Sequence, residues 1–279
     1  YIYAGTANQG LYKFNGHVWK KIDALTSNNI DVINNNNFSD IKTDKNGGIW
    51  AAQFGSTNGN TTAFLGGLNY LPDSSNVGFT YYSALTNGLP SRYCRGVFID
   101  TSFSQTNPRI WTANFAQISG GESSSGGVGL GVNNTSPNFL SITGGIDVAS
   151  QTASVQTIGG DENEIWAFAS GNYGKNQILA YNSQTAAFKR AYENTDIGFS
   201  FPSNFLVRSI YFDVLAKKDL LIDRRWVGVS NGGILIYQKP VNATDGYWAY
   251  INHLTHPTKF PSGSFVNNNS ITSDQAGNI

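Results

Sequence analysis

Histidine is the side chain most easily recruited for acid–base or metal chemistry near neutral pH. This chain has three: His17, His253 and His256. The His253-Leu-Thr-His256 spacing can bring two imidazoles to one ion. No cysteine and no nearby carboxylate completes a ligand set, so the pair reads as a loop pair without a metal. Asp44-Lys-Asn-Gly47 and Asp161-Glu-Asn163 have the opening of a calcium loop. The twelfth position, where a bidentate Glu is needed, is Gly55. A strand-end Asp that accepts hydrogen bonds from a turn, beside an Asn-Gly that supplies positive φ, accounts for the same residues. No cofactor is expected, calcium at these turns being the alternative. Among the eighteen acids two carboxylates could pair for glycoside hydrolysis. No Gly-x-Ser-x-Gly elbow and no phosphate-cradling Gly-rich loop with Lys-Ser/Thr occurs. The chain is read as a non-enzyme.

Composition narrows the remaining classes. Eighteen basic and eighteen acidic residues cancel, so no basic face for phosphates is implied and a nucleic-acid partner is not expected. No apolar run approaches the ~18 residues of a membrane span. The one cysteine, Cys94, rules out an intrachain disulfide. Charged residues are 13%, against a usual ~25%. Aromatics, Gly and Asn are abundant, as suits strands joined by tight turns.

The elements that must position any site are repeats. A phrase of apolar strand, acid, polar turn and Trp runs through Asp44…Trp50, Asp100…Trp111, Asp161…Trp166 and Asp213…Trp226. The tryptophans are 111−50 = 61, 166−111 = 55 and 226−166 = 60 residues apart. A period of this size marks an array of one supersecondary unit. Each unit parses into four short strands with hairpin signals, and no segment shows sustained helical periodicity. The expected fold is an all-β β-propeller of four-stranded antiparallel blades. About four complete blades span 36–83, 92–143, 153–192 and 206–252, with partial blades at 1–22 and 265–279. The recurring Trp is expected to pack between adjacent blades. The ends either combine into a fifth blade or belong to a larger ring, and the chain reads as a segment of a longer protein.

Several phrases resemble the two-component regulator propeller family. Asn87-Gly-Leu-Pro-Ser-Arg-Tyr-Cys-Arg-Gly-Val-Phe-Ile-Asp100 is similar to its blade opening. Trp226-Val-Gly-Val-Ser-Asn-Gly-Gly-Ile234 and Ala4-Gly-Thr-Ala-Asn-Gln-Gly-Leu11 are similar to its later strands. Further copies of the loop are Phe201-Pro-Ser-Asn204 and Phe260-Pro-Ser-Gly263. The resemblance covers nearly the whole chain. It implies the sensor domain of a Bacteroidetes hybrid two-component system, periplasmic or at the cell surface. Attached domains and an oligosaccharide inducer would go with it. PorZ-like propellers of the type IX secretion system are related. The long polar loops at 115–127 and 214–224 keep open a surface scaffold or adhesin that binds protein or surface polysaccharide. Thr272-Ser-Asp274-Gln-Ala-Gly277 is a distant echo of the Asp-box of propeller glycosidases, which keeps a glycosidase or lyase as the third reading.

In a propeller the loops leading into the first strands gather on one face. Here they are 27–37, 86–92, 198–205 and 257–269, rich in Asn and Ser with interspersed aromatics. Amides and hydroxyls suit sugar hydroxyls, and rings stack on apolar sugar faces. Arg92, Arg95 and Arg208 lie in or just after these loops and could grip a carboxylate or sulfate. With Trp248, His253 and His256 they form the expected ligand-binding set. The partner expected is a carbohydrate or another polar small molecule.

Overall fold

Short apolar strands separated by Gly- and Asn-bearing turns pair with their neighbours along the chain. The computed structural model shows the result as a series of antiparallel sheets. It describes residues 1–7, 9–22, 37–55, 66–72, 80–104, 107–116, 126–131, 138–150, 152–198, 206–230, 232–252, 271–274 and 279. The first sheet has three strands, β1 (Ile2–Gly5), β2 (Leu11–Phe14) and β3 (Trp19–Ile22). The second is β4 (Phe38–Thr43), β5 (Ile49–Gln53), β6 (Gly67–Leu71) and β7 (Thr80–Tyr82), followed by α1 (Ala84–Asn87). The third is β8 (Cys94–Asp100), β9 (Arg109–Asn114), β10 (Gly127–Gly131) and β11 (Phe139–Ile142). The fourth is β12 (Ser154–Gly160), β13 (Glu164–Asn172), β14 (Lys175–Asn182) and β15 (Phe188–Tyr192), then α2 (Asn194–Ile197). The fifth begins with β16 (Leu206–Phe212) and α3 (Val214–Asp219), and continues with β17 (Ile222–Ser230), β18 (Gly233–Pro240) and β19 (Tyr247–Ile251). The architecture is all-β and blade-based, the propeller class read from the repeat.

The repeated phrase has one register. Trp50, Trp111 and Trp226 lie opposite Lys42, Phe98 and Tyr211, each two residues before the strand-end Asp. Asp44 and Asp213 donate their N–H to the carbonyls of Gly48 (2.8 Å) and Arg224 (2.9 Å), closing the hairpin behind them. Three residues upstream of each Trp partner the first strand carries a β-bulge. The extra residue is Ser39 in β4, Arg95 in β8 and Arg208 in β16. A bulge leaves its residue out of the ladder and re-aims its side chain.

The chain divides into two compact units, 1–155 with 171–173, and 156–170 with 174–279. In the first, fully buried Trp50 stacks on Tyr70 at 4.3 Å and packs with Leu68, Cys94, Val97, Ile110 and Phe139. That cluster joins the second sheet to the third. In the second unit, fully buried Trp166 packs against Tyr192, Phe212, Tyr237 and Trp248, joining the fourth sheet to the fifth. Trp50 and Trp166 thus pack between blades, as the recurrence implied. Trp226 is only half-buried, and its Nε1 donates to Asp213 Oδ2 at 3.3 Å. The sequence that follows its blade, 253–270, lies outside the described residues.

Close blade contact also selects glycine. Gly66 has φ +120°, and a Cβ there would stand 2.4 Å from the Arg92 carbonyl oxygen. Gly126 is placed likewise against the Ala153 carbonyl, at 2.5 Å.

The three helices among the described residues depart from the helix-free expectation. At four to six residues they are shorter than the two turns over which periodicity becomes visible. The most developed, α3, lies in the segment read as a polar loop, and Asp213 caps it by accepting from Ala216 N–H at 2.9 Å. Of the expected C-terminal partial blade, only 271–274 and 279 are described, and Ser273 Oγ lies 2.6 Å from Tyr211 Oη.

Candidate functional site

In the first unit, the ends of β5 and β9 and the start of β8 bring aromatic and guanidinium side chains together. Phe54 and Phe115 each follow their blade's Trp by four residues. Their backbones are tied in: Phe54 N–H donates to Asn37 O at 3.0 Å and Phe115 N–H to Tyr93 O at 2.9 Å. Ser91 Oγ donates to Phe115 O (2.7 Å) and accepts from Tyr93 N–H (3.1 Å), which fixes the turn into β8. The Phe54 ring lies 4.9 Å from Tyr93 and 5.6 Å from Phe115, tilted and edge-on respectively. Both arrangements suit the ring quadrupoles.

Two arginines attach to this group. The Arg95 guanidinium carbon is 4.9 Å from the Phe54 centroid, and that of Arg92 is 5.2 Å from the Tyr93 centroid. Arg92 Nη2 also donates to Tyr93 Oη at 3.4 Å. Arg92 is buried at 9% exposure, whereas Arg95, the bulged residue, is half-buried. Such cation–π contacts contribute about 0.5–2 kcal/mol. The chemistry on offer is stacking and charge-assisted hydrogen bonding.

The structure therefore brings Arg92 and Arg95 into one cluster. Arg208 is half-buried at the bulge of β16 in the second unit. Trp248, on β19, packs with Trp166, Tyr192 and Tyr237 at 5.7, 5.6 and 5.1 Å. His253, His256 and the loop 257–269 lie outside the described residues, as do 27–36 and 199–205. Sequence reasoning missed Phe54, Tyr93 and Phe115. The signal for the two Phe was their shared Trp-plus-four position, which is Ser170 and Ser230 in the last two blades.

The acids of the repeated turns are engaged by the turns themselves. Asp44 Oδ1 accepts from the N–H groups of Asn46 and Gly48, at 2.9 and 2.8 Å, and Oδ2 from Tyr70 Oη at 3.2 Å. Burial and then Asp44 push the Tyr70 hydroxyl up to about 12. Asp161 Oδ1 accepts from Asn163 and Glu164 N–H, and Oδ2 from Lys217 Nζ at 2.9 Å. Among the described residues no group of three or more His, Cys, Asp or Glu could hold a metal ion.

A second ionic constellation, in the second unit, is internal. Arg225, 2% exposed, donates to Asp223 at 3.2 and 2.6 Å and to Glu164 Oε2. Its guanidinium carbon lies 4.3 Å from the Trp166 ring and 4.8 Å from Phe212. Burial alone would raise the Glu164 carboxyl. The Arg225 charge, together with the hydrogen bonds from Lys189 and Arg225, overrides it and holds the group at about 2. Asp147, held by Ser150, and Glu193, held by Lys175 and Gln177, are also shifted downward from their ordinary values. A glycosidase general acid needs a carboxyl shifted the other way.

No family model and no curated protein matches the chain. Solved structures do. The chain aligns with a structure named as the extracellular domain of the hybrid two component system BT3049 from B. thetaiotaomicron. Identity is 16%, the TM-score is 0.61, and 99% of this chain and 30% of that one are covered. Two structures of the extracellular domain of BT4673 from the same organism also match. One, named as a one component system, gives 15% identity and a TM-score of 0.52, covering 99% and 34%. The other, named as a hybrid two component system, gives 14% and 0.59, covering 99% and 29%. The chain spans about a third of the length of these proteins. The likeness shows the shared fold.

Proposed function

We propose that this chain is part of a non-catalytic, extracytoplasmic recognition propeller of the two-component sensor class. It binds a polar ligand, an oligosaccharide, and regulates signalling through domains attached to it. The observation that carries this reading is the likeness, along 99% of the chain, to structures named as extracellular domains of such systems. A location in the periplasm or at the cell surface goes with it.

Phe54 and Phe115, both half-buried beside buried Tyr93, support the ligand class. Aromatic faces stack on the apolar faces of sugars, and arginine donors suit their oxygens. No cofactor is part of the proposal.

The test is isothermal titration calorimetry of the folded chain against neutral and acidic host and plant oligosaccharides. Saturable binding without turnover is expected. Absence of binding across the set, with the near-ultraviolet circular dichroism of a folded protein, would overturn the reading. Turnover of a glycan that disappears when a carboxylate is replaced would make the protein a propeller hydrolase instead.

A further inference from the structure

We infer that the side of the first sheet carrying Ile2, Phe14 and Trp19 is a docking surface, and that its partner is the Trp-bearing side of a further blade of this repeat in the same polypeptide. The inference does not depend on the ligand proposed above.

The first observation is a register. Directly opposed residues of paired strands lie on one side of a sheet, and successive residues alternate sides. Ile2 pairs with Phe14 and Phe14 with Trp19, so the three form one row. Ile110–Gly131–Phe139 and Arg225–Tyr237–Trp248 are the same row in the third and fifth sheets. Each begins one residue before its blade's Trp, and in β1 that next residue is Tyr3. Tyr3 packs with Leu11, Phe38 and Ala51, as Trp50 packs with Ile110 and Phe139. The first sheet therefore turns its Tyr3 side to the second sheet, as the second turns its Trp50 side to the third.

The second observation is what the row meets in the other blades. In the third sheet it packs on Trp50 and Tyr82, with Phe139 5.9 Å from Tyr82. In the fifth it packs on Trp166, which has Tyr237 at 5.4 Å, Trp248 at 5.7 Å and the Arg225 guanidinium carbon at 4.3 Å. The leading residues Ile49, Ile110, Ile165 and Arg225 are at most 2% exposed. Ile2 is 59% exposed and Trp19 51%. Phe14 between them is half-buried and stacks on Trp19 at 5.0 Å. A contiguous apolar row at the surface marks an interaction site. Its register states what fits there, the side of a blade that carries an indole. Both joints that show this contact are made by consecutive blades of one chain, and the structures this chain resembles are about three times its length. Linkage in one chain raises the effective concentration of such a partner, which favours a blade of the same polypeptide over a second copy.

The test is carbene footprinting, read residue by residue by mass spectrometry, on residues 1–279 and on the whole natural polypeptide. Ile2 and Trp19 should label at least about threefold less in the natural polypeptide, while fully buried Trp50 labels weakly in both. In the natural polypeptide Ile2→Asp should return Trp19 to within about twofold of its labelling in residues 1–279, because a charge buried without a partner opens the joint. The same substitution should leave the thermal midpoint of residues 1–279 unchanged, since Ile2 is exposed there. Equal labelling of Ile2 and Trp19 in the two proteins overturns the inference. So does labelling of residues 1–279 that falls with rising concentration as a dimer appears in sedimentation velocity, which would make the partner a second copy. Protection of Trp19 that survives Ile2→Asp would place the contact elsewhere and overturn it as well.

Discussion

Replacing Arg225 by methionine removes the positive charge between Glu164 and Asp223 while keeping much of the packing volume against Trp166 and Phe212. At neutral pH both carboxylates are then left in a site where Arg225 itself was 2% exposed. Lys189 still reaches Glu164, and Lys239 lies 3.8 Å from Asp223, so the loss is partial. Two independent routes give its size. Removing one partner of a buried ion pair costs about 3–5 kcal/mol. Displacement of the Glu164 carboxyl from 4.5 to about 2, produced by Arg225 and Lys189 together, corresponds at ~1.4 kcal/mol per pH unit to about 3 kcal/mol for the two cations. The expected loss is therefore about 3 kcal/mol at pH 7. The pH dependence distinguishes this from a packing defect. Because the folded-state value of Glu164 is depressed, its contribution is complete above about 4.5 and disappears as pH falls towards 2. Wild type should lose stability over that window. In the variant the main depressing charge is gone and burial favours the neutral acid, so stability should stay level or rise as pH falls. Urea titrations followed by tryptophan fluorescence between pH 3 and 7 measure both slopes. A loss under ~1 kcal/mol at pH 7, or parallel slopes for the two proteins, would refute the ion-pair account.

Three further outcomes are expected. Trp50→Ala and Trp166→Ala should each cost about 3–5 kcal/mol by urea denaturation, and Trp226→Ala, half-buried, about half as much. Equal costs would mean that register rather than burial sets the contribution. Gly66→Ala should cost about 2–3 kcal/mol because the Arg92 carbonyl blocks the new methyl. Gly16→Ala, at φ +101° with open space around it, should cost about 1 kcal/mol from strain alone, thermal midpoints giving the comparison. Burial, aided by nearby Asp40, pushes the Cys94 thiol well above the usual range, so labelling by a thiol reagent at pH 8 should be at least about a hundredfold slower in native than in urea-unfolded protein. Fast native labelling would mean that the joint between the second and third sheets opens.

The propeller class was legible because a blade is built from local chemistry repeated in order. Asp44, Asp100, Asp161 and Asp213 end their strands, and hairpin pairing places the Trp at a constant register from that end. Such a pattern survives in residue spacing alone. Arg92 and Arg95 were legible as neighbouring arginines at the entry to a first strand. Their aromatic partners were not, since Phe54 and Tyr93 are thirty-nine residues apart and meet only through the packing of successive blades. The bulge at Arg95 was hidden too. It exists only in the pairing of Cys94 with Asn114 and Gly96 with Ala113. The four- and six-residue helices left no periodic trace.

Order, period and turn chemistry are properties of neighbouring residues. The sequence alone therefore determined that this protein is all-β, built of Trp-centred blades and sparsely charged. What a given charge does depends on residues some sixty positions away, and only the tertiary structure decided that. Packing placed Arg225 between Glu164 and Asp223, where desolvation makes it a rivet joining two blades. A one-residue slip of the ladder left Arg95 out of the strand pairing, half-buried with its guanidinium carbon 4.9 Å from the Phe54 ring centroid. Both arginines lie on strands of the repeated blades, and only packing decides that one is buried and the other half-buried.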